Sequence, residues 1–425
     1  MNKKNYPDPN FYAITDRMNY TIRGEVDLFE QVEAEPLQKA VDTAFQRYPY
    51  FSVQVVLKDN ILNVDPNPRP HNIIHSADRV TLGTEEVNYH LVVVSYYENK
   101  IFFNVSHSIT DGAGRAPLTK TVLYYYLKYR HPDMELDPEG IYLAGEEAFE
   151  DERSEPVPLE EIMNAQPTYY KPLGKAFKLT EKGTIKDNIQ TEFRFRIDEK
   201  EFMKLNKSQD ASPSVLVSAL LAQMTWQKYP EIEEDVIINL CMNMRSGLHN
   251  KHSHLPLFTC IPLNCQPCMK DFELDKICTC LRGMVMIQSQ EENVQYLYKQ
   301  YLLGMEQLHQ IPDLKEKREI VSASLYQIGG LLSSTFIVSY VGKNNLGSLY
   351  PYVEAMYTTV DAIPNGGVIV EITSADGYFY FTFMQDFSTD EYVNSFCGLL
   401  RDRGLTVEEL GSGPILAPGI RLPEE

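Results

Sequence analysis

The chain has no run approaching the roughly 20 apolar residues that a membrane-spanning helix needs, so no membrane span is expected. Positive charge is also scarce. The 425 residues carry 39 Lys+Arg against 59 Asp+Glu, a formal net charge of -20. Phosphate binding needs clustered Lys and Arg, which argues against nucleic acid or an anionic membrane surface as a partner. A local basic pocket for an anionic cofactor stays compatible with that balance. The opening MNKKNYPDPNFYAITDR has two lysines but no apolar core after them, unlike a signal peptide. Seven cysteines, an odd count in a long chain, fit reduced thiols in the cytoplasm better than a disulfide framework. No GxSxG nucleophile elbow occurs, and Ser339 in FIVSYVG lacks that context. GxGxxG and P-loop patterns are missing too, which removes support for a nucleotide-phosphate cradle.

What is present reads as alternating helices and strands. LQKAVDTAFQRY places Leu37, Ala40, Val41, Ala44, Phe45 and Tyr48 on one helical face, and Pro49 stops the helix before the strand FSVQVVL. HLVVVSYYENKIFFNVSH reads as a hairpin turning at Glu98, Asn99 and Lys100, whose second strand delivers His107. A helix with Pro117 in its first turn is expected after the DGAG loop. Ser212 and Pro213 open another, which ends at Pro230. Strands are expected at 235–243, 258–263, 334–341, 366–373 and 378–386, and helices at 273–289, 291–309 and 388–402.

Between about 131 and 190 the composition turns acidic and proline-rich with little periodicity, as in a linker or a loosely packed crossover. Its acidic run at 146–161 is most simply a solvated face. Phe45-Gln46-Arg47-Tyr48-Pro49 is echoed by Trp226-Gln227-Lys228-Tyr229-Pro230, each ending a helix before strand-like sequence. With the linker, the echo suggests two halves of similar construction, divided at 1–180 and 190–425.

Three groups of residues carry possible chemistry. In SHSITDG, His107 could act as a general base, because imidazole titrates near neutral pH. Asp111 could orient that ring or pair with an arginine and fix the loop. Gly112 and Gly114 would let the backbone turn sharply and admit a ligand closely. The plain alternative is a strand-ending histidine beside a turn. Cys260, Cys265, Cys268, Cys278 and Cys280 superficially resemble a zinc site, but the second pair opens an amphipathic helix and Cys260 suits a strand interior. His249, His252 and His254 in HNKHSH could hold a metal, yet their loop spacing favours a solvated turn.

His107-x3-Asp111-Gly112 at a strand end resembles the HxxxDG signature of the CoA-dependent acyltransferase superfamily, which includes alcohol acetyltransferases and condensation domains. LQKAVDTAFQRYP resembles the family's opening helix, SPSVLVSALLAQMTWQKYP the helix of its second half, VIINLCMNMRSGL its strand-then-arginine segment, and FIVSYVGK its later strand. The resemblance implies an α/β (α+β) chain of two chloramphenicol-acetyltransferase-like domains, each a mixed sheet flanked by helices, with a tunnel between them. It makes His107 the base, Asp111 a structural partner of Arg245, and Gly112 the residue that keeps a pantetheine channel clear. Ser106 stands where condensation domains carry a first histidine, and the DFGWG motif of the plant branch is absent.

The expected activity is acyl transfer, acetyl above all, from acyl-CoA to a small-molecule alcohol or amine, with Ser339 as donor to the oxyanion and no metal. Two other readings accompany it. One is a stand-alone condensation-like protein taking thioesters from an acyl-carrier protein, and the other a non-catalytic scaffold that keeps the motif for loop geometry.

Overall fold

The computed structural model describes residues 9–14, 19–154, 156–168, 174–179, 189–327, 334–361, 367–375, 377–415 and 419–423. Their strands are β1 (Thr21–Leu28), β2 (Val53–Lys58), β3 (Ile61–Pro66), β4 (Ile74–His75), β5 (Val92–Tyr97), β6 (Lys100–Ser106) and β7 (Thr191–Asp198) in the first part of the chain. The second part adds β8 (Val236–Asn243), β9 (Phe258–Cys265), β10 (Phe336–Lys343), β11 (Val353–Val360), β12 (Val368–Ala375), β13 (Tyr378–Gln385) and β14 (Glu408–Pro414).

Two large sheets organise these strands. The first runs β11-β1-β6-β5-β4 and the second β14-β7-β13-β12-β10-β8-β9, while β2 and β3 form a separate ribbon. β-branched and aromatic residues fill both sheets, as suits half-buried pleated surfaces. Each sheet has its own apolar core. Phe103, Leu118, Val122, Leu37 and Val41 belong to one, and Phe195, Phe381, Phe383, Leu220 and Phe396 to the other.

The crossover of β11 sets the site. β10 and β12 are parallel neighbours in the second sheet, with Ser339 opposite Glu371. Between them in sequence the chain leaves that sheet, adds β11 antiparallel to β1 at the edge of the first, and returns. The two sheets are thereby tied together, and the cavity described below opens where they meet.

The helix Ala34–Arg47 and the helix Pro213–Lys228, capped by the Ser212 hydroxyl, lie where the periodicity predicts them. Helices Leu274–Gln288, Glu291–Gln310 and Glu391–Arg401 also follow their patterns. Helices Glu199–Ser208 and Leu314–Gln327 and strand β11 were not anticipated.

Two expectations are corrected. Pro117 does not open its helix, which begins at Gly112 with the Asp111 side chain accepting from Gly114 N–H. A carboxylate cap at the positive end of a helix outweighs the proline as a start signal. The acidic run at 146–161 is not wholly a solvated face. Glu152 is 2% exposed. Its carboxylate takes both terminal nitrogens of Arg47, with Nη1 at 2.9 Å, and the Tyr50 hydroxyl at 3.0 Å. A guanidinium from the RYP stretch thus draws an acid of the crossover segment inward. No helix among the described residues is long and apolar enough to cross a membrane.

Candidate active site

His107 follows the last residue of β6, and its backbone N–H donates to the Tyr20 carbonyl at 2.6 Å. This bond fixes the strand end against the start of β1. The ring lies with Nδ1 3.1 Å from the Thr110 carbonyl. A carbonyl can only accept, so Nδ1 carries the hydrogen and Nε2 keeps its lone pair. Phe258, from β9 of the other sheet, stacks on the ring with centroids 4.6 Å apart. Burial holds the imidazole below its ordinary range, against the opposing pull of Asp111 and the Thr110 carbonyl. The ring, whose one hydrogen bond among the described residues is at Nδ1, lines a cavity of about 230 Å³ between the sheets.

Asp111 makes no hydrogen bond to this ring, whose Nδ1 bonds the Thr110 carbonyl. Its two oxygens take Arg245 Nη1 and Nη2, each at 2.8 Å, in the planar fork that guanidinium and carboxylate share. Arg245 spends its remaining donors on the Ser253 carbonyl at 3.0 Å, the Leu255 carbonyl at 2.7 Å and Asn243 Oδ1 at 3.3 Å. The pair, 134 residues apart in sequence, joins the loop after β6 to the loop after β8. Both side chains are buried, and their donors and acceptors are used.

Gly112 and Gly114 have no positive φ. Both are helical, so the sharp turn expected of them is not what they provide. Close approach is. A Cβ on Gly114 would stand 2.4 Å from the His254 carbonyl oxygen, and one on Gly112 would stand 2.8 Å from Val341 Cγ2 at the cavity wall.

Ser339 lines the cavity on β10. Its cross-strand neighbour on β12 is Glu371. Burial pushes the Glu371 carboxyl up to about 7, with Ser339 and the charge of Arg115 pulling back. Arg115, on the helix that Asp111 caps, also lines the cavity. Neither Glu371 nor Arg115 was singled out from the sequence. The signals were there: one acid among the apolar residues of VIVEITSA, and one base in the second turn's start at GAGRA, where the helix dipole disfavours a cation.

The other candidate clusters are dispersed. His249 pairs with Glu291 at 3.1 Å, His252 with Asp151 at 2.9 Å, and His254 bonds the Glu152 carbonyl while stacking on Tyr50. Three imidazoles with three separate partners do not converge on one point. Cys260 faces Cys241 across β8 and β9, with Sγ atoms 3.6 Å apart, whereas Cys265 and Cys278 are buried and Cys268 is exposed. Burial drives the Cys265 and Cys278 thiols upward, away from the thiolate a metal would need.

Solved structures share this architecture. TRI101 of F. sporotrichioides, complexed with coenzyme A and T-2, aligns over 95% of this chain and 99% of its own, with a TM-score of 0.59 and 11% identity. Polyketide synthase associated protein 5 from Mycobacterium tuberculosis aligns over 89% and 92%, at 0.56 and 10%. The first condensation domain of the CDA synthetase aligns over 93% and 92%, at 0.55 and 11%. At such identities the likeness establishes the fold. The chain has the two-domain chloramphenicol-acetyltransferase-like fold of CoA acyltransferases and condensation domains, as its resemblance implied. No family model matches the chain, and no curated protein matches it in sequence.

Proposed function

We propose that the protein transfers an acyl group from coenzyme A to an alcohol or amine, with His107 as general base. The observation that carries the reading is the cavity-lining imidazole, its pKa lowered by burial and its Nδ1 committed to Thr110, which leaves the Nε2 lone pair without a hydrogen-bond partner among the described residues. The fold shared with a coenzyme A complex supports the donor. Nε2 takes the proton of the acceptor hydroxyl or amine as its oxygen or nitrogen attacks the thioester carbonyl. The tetrahedral oxyanion collapses, the C–S bond breaks, and the proton passes from Nε2 to the thiolate. Asp111 takes no proton in this scheme. Together with Arg245 it holds the loop that fixes the Thr110 carbonyl and hence the ring.

The oxyanion needs a donor, and Ser339 is our assignment. As a carboxylate, Glu371 claims the Ser339 hydrogen. As a neutral acid it can donate to Ser339 Oγ and release that hydrogen to the oxyanion. kcat/KM therefore rises with pH as His107 loses its proton, below the ordinary 6.5, and falls as Glu371 ionises at about 7. Glu371→Gln should remove the alkaline limb and leave the acid one.

Thiol release from acetyl-CoA with a panel of alcohols and amines tests the reading. His107→Ala should lower turnover about 100- to 10,000-fold. Undiminished turnover in that variant sinks the base assignment. Turnover with a loaded carrier protein but with no CoA thioester would replace the donor.

A further inference from the structure

We propose that Arg115 anchors a carboxylate on the acceptor, so that the acceptors are hydroxy or amino acids rather than neutral alcohols or amines. The proposal rests on the acyl-transfer reading above and names the acceptor class for that site.

Arg115 is 8% exposed. Its Nε has no hydrogen-bond partner, and among the described residues its terminal nitrogens make no hydrogen bond or ion pair within 4.0 Å. Glu371 is felt only as a charge from the other wall of the cavity. Burial pulls the guanidinium down to about 10, still charged at neutral pH. A buried cation with unused donors costs several kcal/mol, and its place near a helix N-terminus adds to that cost. Among the described residues only the distant charge of Glu371 offsets part of it. An anion in the cavity offsets the rest.

The surroundings are shaped for this group. Arg115 lies over Gly24 of β1, where a Cβ would fall 1.7 Å from Nη1. Only a residue without a side chain admits the guanidinium there. Gly24 stands four residues from Tyr20, whose carbonyl accepts from the His107 backbone N–H. At strand spacing that is about 13 Å between backbones. One small acceptor can thus span both groups, its carboxylate on the guanidinium fork and its nucleophile at Nε2. Asp111 already occupies Arg245, so among the cavity's guanidinium groups Arg115 is the one left for a ligand.

The test compares matched acceptors with acetyl-CoA: 6-hydroxyhexanoate against 1-hexanol, and 8-hydroxyoctanoate against 1-octanol. Wild type should prefer the acid of each pair in kcat/KM. Arg115→Met should lower that preference by about 30-fold or more, the loss of roughly 2 kcal/mol of charge-assisted contact. Arg115→Lys, which keeps the charge without the fork, should fall between, and circular dichroism checks that both variants are folded. A merely structural role lowers both members of a pair equally and overturns the proposal. So does a wild type that prefers the neutral member. A variant whose KM rises for acetyl-CoA but not for S-acetyl-N-acetylcysteamine, which lacks phosphates, places the donor's phosphate on Arg115 and also overturns it. If no thioester turns over with any acceptor, acyl transfer fails separately. Calorimetry of 6-hydroxyhexanoate then decides the anchor: binding lost in Arg115→Met upholds it, and equal or absent binding in the two proteins rejects it.

Discussion

Two arginines border the same cavity and live in opposite circumstances. Arg245 has its guanidinium filled by Asp111 and the Ser253 and Leu255 carbonyls. Arg115 is as deeply buried but leaves its donors unused, with Glu371 across the cavity and not in contact. The difference separates structure from function within one site. A satisfied buried charge holds two loops together, and an unsatisfied one keeps donors open to a ligand.

That contrast is open to direct attack. Arg245→Ala orphans a buried carboxylate and should cost about 3–5 kcal/mol in urea unfolding. Arg115→Met replaces an orphaned cation with an apolar side chain of similar length, and should be close to neutral or stabilising. Equal losses in the two variants would erase the distinction.

Glu371 sharpens the open side of the comparison. Its carboxyl is raised from the usual 4.5 to about 7. Between those values the folded state keeps a proton that the unfolded chain releases. Stability should therefore fall as pH rises through that window, by about 3 kcal/mol in all. Glu371→Gln should remove that slope and be the more stable protein at pH 8. A parallel pH profile for the two proteins in thermal unfolding would contradict the burial argument.

The glycines probe the closed and open sides with smaller effects. Gly114→Ala pushes a methyl against the His254 carbonyl, which is backbone, and should cost about 1–3 kcal/mol. Gly112→Ala meets only the Val341 side chain, which is half exposed on β10. Its loss of stability should be smaller than that of Gly114→Ala, and its main effect a raised KM for the thioester as the cavity wall moves inward. Calorimetry and initial rates on the two variants check the order.

Much of the fold could be read from local pattern. The helices Ala34–Arg47 and Pro213–Lys228 carry strong apolar stripes and stop signals, and the hairpin of β5 and β6 carries its alternation and turn. The FQRYP and WQKYP echo has matching partners: Arg47 meets Glu152 and Lys228 meets Glu391, while Tyr48 bonds Thr121 and Tyr229 bonds Tyr392. His107, Asp111 and Gly112 stood out in SHSITDG itself and Arg245 through the family resemblance, and the structure places all four at one cavity. What escaped was non-local. β11 pairs with β1 more than 300 residues away, as in Ile22 opposite Val360, and no local pattern announces such a partner. Glu152 looked solvated because its neighbours are acidic, and only the position of Arg47 shows otherwise. Glu371 and Arg115 sit in ordinary strand and helix sequence, and their meaning lies in which wall of the cavity they face.

The central claim is that His107 is a neutral base at working pH, and its titration tests this most directly. The His107 ring resonance, assigned by its loss in His107→Ala, should titrate below 6.5 in the free enzyme and coincide with the acid limb of kcat/KM for acetyl transfer. A resonance that titrates at or above 6.5, or a rate that crosses its midpoint unchanged, would contradict the account.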